Sequence, residues 1–161
     1  MRAGVGYDSH RFDETRPLVL GGVIIPNTPG LKGHSDGDAV AHAVTDAVLG
    51  AVGLGDIGAM FPDTDPAHEG ADSIGLLAAA VRRLRDDGFH VGNVDVAIVT
   101  ERPRIAPHAD AMRERLAEAL QVPATAVSIK GKSNEGLGWI GRGEGLAAIA
   151  VAAVAGAADG A

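Results

Sequence analysis

An α/β (α+β) fold in a single domain is predicted by three observations. Apolar runs with strand-like alternation are interleaved along the chain with segments of helical apolar spacing, so the two kinds of element alternate rather than segregate. A length of 161 residues, 46% hydrophobic and 22% charged, fits one ordinary globular domain over residues 1–161. Aromatic residues make up only 3%, so the core must be built from Ala, Val, Leu and Ile, and so thin a core gains from burial against identical subunits.

The elements follow in order from the punctuation of the chain. Residues 2–9 read as a first strand running into His10-Arg11-Phe12. Leu18-Val19-Leu20 and Val23-Ile24-Ile25 are apolar runs split by Gly21-Gly22, the signature of a hairpin. Ser35 is predicted to cap a helix from about Asp36 to Val52, with Asp36 and Asp38 in its first turn and Gly53 and Gly55 closing it. Asp72-Ser73 opens a second helix through Leu76, Leu77, Ala80, Val81 and Leu84, ended by Gly88. Residues 94–99 alternate like a strand, and Pro107 starts a helix with Met112, Leu116 and Leu120 on one face. Val127-Ser128-Ile129 is a further short strand. The tail from Gly145 to Ala155 is even between two readings: alanine propensity favours helix, while the alternation of Leu146, Ala148 and Ala150 with Ala147, Ile149 and Val151 favours a strand buried on both faces. The final few residues are expected to fray.

Composition removes several function classes. A formal net charge of −7 argues against a nucleic-acid partner. There is no apolar run long enough to span a membrane and no signal-peptide-like segment at the amino terminus, so the cytoplasm is the expected location. Zero cysteines exclude disulfides, thiolate metal sites and cysteine nucleophiles. If the substrate is a phosphate, so acidic a chain must gather positive charge locally, and a metal ion is the compact way to do so.

Four segments carry the chemistry. In an extended segment Asp8 and His10 point to one face, giving a carboxylate and an imidazole to a divalent metal. His42 offers a third ligand and lies four residues from both Asp38 and Asp46, either of which can accept the other imidazole N–H. Asp8 and His10 taken alone fit a structural Asp–His hydrogen bond better than a metal site. Gly33-His34-Ser35-Asp36-Gly37-Asp38 feeds a helix start, where unpaired N–H groups receive anions and His34 adds a donor; a well-capped helix end explains the same residues. Asp56-Ile57-Gly58 and Phe61-Pro62-Asp63-Thr64-Asp65 read as ordered loop, with acceptors for substrate hydroxyls or simple turn chemistry. Lys130 to Gly138 is a glycine-rich loop in which Glu135 can hold a hard cation, and Trp139 and Gly141-Arg142-Gly143-Glu144-Gly145 follow it. The loop lacks the residue order of a P-loop.

Taken together, G-Y-D-S-H-R-F, G-H-S-D-G-D with H-x-x-x-D, G-D-I-G, F-P-D-T-D-P, G-N-V-D and G-L-G-W-I-G-R-G-E-G occur in one order. The series resembles the 2-C-methyl-D-erythritol 2,4-cyclodiphosphate synthases of the non-mevalonate isoprenoid pathway from Arg2 to about Ala155. The resemblance implies a mixed β-sheet with helices on one face, the sheets packed around the threefold axis of a homotrimer, and active sites between subunits. It also makes the ambiguous tail a central strand. The implied reaction closes a cytidine-diphosphate-linked methylerythritol 2-phosphate into the cyclic diphosphate and releases CMP. By this likeness Asp8, His10 and His42 hold one Zn²⁺ per subunit, and Glu135 holds Mg²⁺ or Mn²⁺ on the substrate diphosphate. His34 and Ser133 fall at the transition-state-stabilising positions. Ser35 is a further substrate-binding position, Asp56, Ile57, Gly58, Phe61, Pro62, Asp63, Thr64 and Asp65 fall on the methylerythritol side, and Thr100, Pro103, Arg104, Ile105 and Ala106 at the cytidine pocket. Lys132, Asn134, Trp139 and Arg142 complete the substrate set, and Asp38 and Asp46 are expected to support the zinc ligands. Many relatives have a threonine-rich stretch where this chain has Lys132-Ser133-Asn134, and often a phenylalanine at Trp139. Arg142 and Glu144 match the arginine end of an axial channel, where an isoprenoid diphosphate is a candidate ligand. A zinc-dependent phosphohydrolase and a trimeric nucleotide-binding scaffold are the competing classes.

Overall fold

A computed structural model describes residues 1–62, 64 and 70–156; Asp63, Asp65 and the last residues of the tail lie outside the described residues. The chain opens with a long strand β1 (Arg2–Leu20), which turns at Gly21-Gly22 into β2 (Val23–Leu31). Both turn glycines have positive φ, 56° and 73°, as a two-residue hairpin loop requires. Helices α1 (Ala39–Val52), α2 (Ile57–Met60) and α3 (Ser73–Asp86) follow, then β3 (Phe89–Val99) and α4 (Ala109–Leu120). The chain closes with β4 (Val127–Lys132), α5 (Gly138–Gly141) and β5 (Gly145–Gly156).

The five strands form one mixed sheet in the order β2-β1-β5-β3-β4. Among the described residues, only β3 and β4 run parallel. The tail is therefore a strand, and it occupies the centre, antiparallel to β1 on one side and to β3 on the other. Its alternation explains why: Leu146, Ala148, Ala150, Ala152 and Val154 are fully buried under the helices, while Ile149 and Val151 are 40% and 47% exposed on the opposite face. Helical packing would scatter those small residues around a cylinder, whereas a strand lines them up against α1.

Helices α1, α3 and α4 cover one face: α1 packs on β1 and β5, α3 on α1 and α4, and α4 on β4. The approach of α1 to β1 is unusually close. A Cβ at Gly4 would fall 2.1 Å from the Ala47 carbonyl oxygen, and one at Gly6 would fall 1.9 Å from that of Ala43.

The start of α1 differs from expectation. The helix begins at Ala39, not near Asp36, and its cap is Asp38, whose side chain accepts from the Val40 and Ala41 N–H groups. Ser35 does not cap the helix, because its hydroxyl accepts from the Gly37 N–H and faces His42, and the Asp36 carboxylate is engaged with Ser73. Gly37, at φ 77°, breaks any helix across residues 36–38.

Candidate metal centre and active site

The even-numbered residues of β1 look toward α1 in steps. Gly4 lies against Ala47 and Gly6 against Ala43, so the next residue in the series, Asp8, meets His42. Glycine at the first two positions lets the helix sit close enough for His42 Nδ1 to reach within 2.9 Å of Asp8 Oδ2. His10, two residues on, brings its Nε2 to 2.8 Å from the same oxygen. The three candidate ligand atoms all lie within 4.8 Å of one another.

Their protonation favours a cation. His10 Nδ1–H donates to the Lys32 carbonyl at 2.7 Å, which leaves Nε2 as a lone pair. That nitrogen is buried and, although close to Asp8, is not aligned for any hydrogen bond. A lone pair and a carboxylate facing each other across a half-buried gap need a positive charge between them. Burial alone would push the Asp8 carboxyl up, but the two imidazoles beside it, at 2.8 and 2.9 Å, hold it well below the usual carboxylate range. In return the neighbouring Asp8 carboxylate raises the His10 imidazole, against a smaller opposing effect of burial. One anionic oxygen and two imidazole nitrogens in this arrangement suit a divalent transition metal with an open position.

The support for His42 is not the predicted one. Asp38 is fully buried, and its carboxylate accepts from the backbone N–H groups of Gly21, Gly22, Val40 and Ala41, so it joins the hairpin to the helix cap and leaves His42 alone. Asp46 accepts from the Ile57 N–H at 2.8 Å, anchoring α2 instead, and burial holds its carboxyl above the ordinary value. The other ring nitrogen of His42 meets two hydroxyls, Ser73 Oγ at 2.9 Å and Ser35 Oγ at 3.0 Å. Ser73 was legible in the sequence only as the start of a helix.

Beside the trio lies a cavity of about 300 Å³ lined by His10, His34, Ser35, His42, Ile57, Gly58, Phe61 and Leu76. His34 is exposed at this loop, and Leu76, which the sequence assigned to the helix core, forms part of the wall. Arg16, also unpredicted, donates to the Gly33 and Ser35 carbonyls and so braces the loop on both sides of His34. Asp56 caps α2 through its contact with the Ala59 N–H, and Pro62 and Thr64 are exposed beyond Phe61.

A second cavity, of about 340 Å³, is lined by Thr100, Glu101, Pro103, Arg104, Ile105, Ala106, Gly131, Lys132 and Ser133. Among the described residues, none lines both cavities. Ser133 Oγ donates to Glu135 Oε1 at 2.7 Å, and Glu135 itself sits at a positive φ of 51°. Glu101 holds that loop by accepting from the Asn134 and Gly136 N–H groups. Asn134 also donates through its side chain to the Leu137 carbonyl. Trp139 lies on the far side of His10, with Ser9, Arg11 and Glu144, and Arg142 donates to Glu144 at 2.7 Å.

The YgbB family profile matches residues 1–155. A 2-C-methyl-D-erythritol 2,4-cyclodiphosphate synthase of Gemmatimonas aurantiaca is 60% identical over 154 residues, covering 96% of this chain and 93% of that one. The enzyme of the same name from Pectobacterium atrosepticum is 57% identical over 152 residues, covering 94% and 92%. A solved 2-C-methyl-D-erythritol 2,4-cyclodiphosphate synthase in its CDP-bound form superposes with a TM-score of 0.87 at 40% identity, covering 96% of this chain and all of that one. The bifunctional IspDF of Campylobacter jejuni superposes with a TM-score of 0.91 at 42% identity, and this chain spans 42% of that longer one.

Proposed function

This chain belongs to the YgbB family, and from that premise we propose that it is a 2-C-methyl-D-erythritol 2,4-cyclodiphosphate synthase. It converts 4-diphosphocytidyl-2-C-methyl-D-erythritol 2-phosphate into the 2,4-cyclodiphosphate and CMP. An oxygen of the 2-phosphate attacks the β-phosphorus, and the bond from that phosphorus to the oxygen of the α-phosphate breaks, so the electron pair leaves with CMP. The observation that carries the reading is the Asp8–His10–His42 trio opening onto the 300 Å³ cavity.

The reaction joins two anionic groups within one molecule, so positioning and charge neutralisation are the protein's main tasks. Zn²⁺ on Asp8, His10 and His42, and Mg²⁺ or Mn²⁺ on Glu135 and the diphosphate, supply Lewis-acid neutralisation of phosphate charge when bound. His34 donates to a phosphoryl oxygen from the braced loop. Ile57, Gly58 and Phe61 wall the space for the five-carbon skeleton and exclude water from it. Ser133 is set beside Glu135 to hydrogen-bond the diphosphate, and Lys132 adds positive charge there. Thr100 and the turn through Pro103, Arg104, Ile105 and Ala106 offer backbone groups to the cytosine. Since the two cavities are separate in one chain, the complete site forms in a homotrimer, with one subunit supplying the metal trio and its neighbour the cytidine pocket. The exposed apolar face of Val5, Tyr7, Ile149 and Val151 is the surface the subunits share. An isoprenoid diphosphate near the Arg142–Glu144 end of the axial channel is part of the same proposal. No described helix is long and apolar enough to cross a membrane, and the cytoplasm is the proposed location.

Phosphorus NMR of the protein with this substrate and Mg²⁺, with and without a zinc chelator, tests the reading. CMP and a cyclic diphosphate should form, stop on chelation and resume with zinc. Free phosphate in place of the cyclic product would identify a zinc-dependent phosphohydrolase instead.

A further inference from the structure

His42 is held on the side away from Asp8 by a chain of hydrogen bonds whose direction is fixed. The Asp36 carboxylate, an acceptor only, takes the Ser73 N–H at 3.1 Å and also the Ser73 hydroxyl proton. A serine hydroxyl has one proton. Having given it to Asp36, Ser73 Oγ can only accept from His42 Nε2, 2.9 Å away. The same reasoning orients Ser35, whose Oγ lies 3.3 Å from that of Ser73 and must be the donor in that pair. The ring proton of His42 is thereby placed on Nε2, and Nδ1 is left as a lone pair aimed at Asp8 Oδ2. Ser73 is fully buried, and the three partners come from the loop before α1, from α1 itself and from the first turn of α3.

We propose that Ser73 and Asp36 are positioning residues that set the tautomer and ring orientation of His42, an inference that rests on the metal-centre reading above. His10 is set in the opposite sense by the Lys32 carbonyl, with its proton on Nδ1 and Nε2 bare. The two rings therefore present different nitrogens to one point, each because of its partner on the far side. The trio is preorganised to take a metal with no tautomer change. In the absence of Ser73, the Ser35 hydroxyl is free to donate to His42 Nε2, which allows the proton to move to Nδ1, where it must be displaced before a metal can bind.

The test uses the full chain with ¹⁵N-labelled histidine, stripped of metal by a chelator and examined at alkaline pH where the imidazoles are neutral. A long-range ¹H–¹⁵N spectrum should show His42 Nε2 protonated and Nδ1 bare. The reverse assignment overturns the proposal whatever any variant does. S73A should then show both tautomers of His42 and bind zinc roughly 10- to 100-fold more weakly in competition with a chromophoric chelator. Unchanged zinc affinity in folded S73A overturns the proposal while the metal centre stands. Wild-type protein that takes up no zinc overturns the metal-centre reading itself. Should S73A fail to fold, the wild-type spectrum still decides.

Discussion

Asp38 shows how a single carboxylate can look functional in a sequence and serve the scaffold in three dimensions. Its spacing from His42 suggested a partner for the imidazole, yet it accepts from four backbone N–H groups of the hairpin turn and the helix cap. Burial dominates its ionisation and pushes the carboxyl up to about 6, against the pull of those hydrogen bonds. Because the folded pKa lies above that of the unfolded chain, the folded state holds the proton more tightly. The group's favourable contribution is then present below the ordinary carboxylate range and is lost as pH rises through about 6. D38N keeps an acceptor toward Gly21 but cannot titrate, so its stability should fall less over the same window. Urea unfolding of both proteins at matched zinc measures the difference. Parallel pH profiles would show that the Asp38 carboxyl titrates in the ordinary range. The residues that did prove adjacent, Asp8, His10 and His42, were legible because strand period and motif order both pointed at them. Ser73 and Arg16 were not, because their roles depend on contacts between elements far apart in sequence.

At the scale of elements, the β1–α1 contact decides where the metal trio forms. The sequence placed a strand and a helix here, but nothing in its local pattern singled out the glycines at 4 and 6. Their meaning appears when the helix is laid across them, with no room for a Cβ at either. G6A should force α1 away from the strand, since the new methyl would meet the Ala43 carbonyl. Overpacking of this kind costs about 1–3 kcal/mol. The displacement also carries His42 away from Asp8, so zinc affinity should fall together with thermal stability. Zinc titration alongside thermal unfolding checks the coupling; a destabilised G6A with normal zinc affinity would show that α1 keeps its place over the trio. The start of α1 was misread for a related reason. Asp36 and Asp38 both suit a first turn by propensity, but Gly37 and the tie between Asp36 and Ser73 keep the backbone out of the helix until Ala39. The tail was undecidable by local pattern because alanine serves helices and doubly buried strands alike, and only its place between β1 and β3 resolves it.

For the whole molecule, the sheet has one face covered by helices and one without a covering layer. Val5 pairs across the sheet with Val151, and Tyr7 with Ile149, so these side chains share the uncovered face. They are 69%, 47%, 56% and 40% exposed respectively, a concentration of apolar surface that a chain with so few aromatic residues would be expected to bury against copies of itself. The sequence anticipated the need for such burial through its lack of aromatics, although it could not say which face would provide it. V151E places a charge in the middle of that face while leaving the helix-covered side of β5 untouched. Burying an unpaired carboxylate there costs several kcal/mol, enough to dissociate a modest interface. Sedimentation should find the wild type as three copies of the 16.3 kDa chain and V151E as one. Zinc binding should survive, because Asp8, His10 and His42 belong to a single chain. Turnover should be lost, because in the proposed trimer the metal cavity of one subunit is completed by the cytidine cavity of its neighbour. A monomeric V151E that still turns over would mean that one chain brings both cavities to the substrate, and the site between subunits would have to be abandoned.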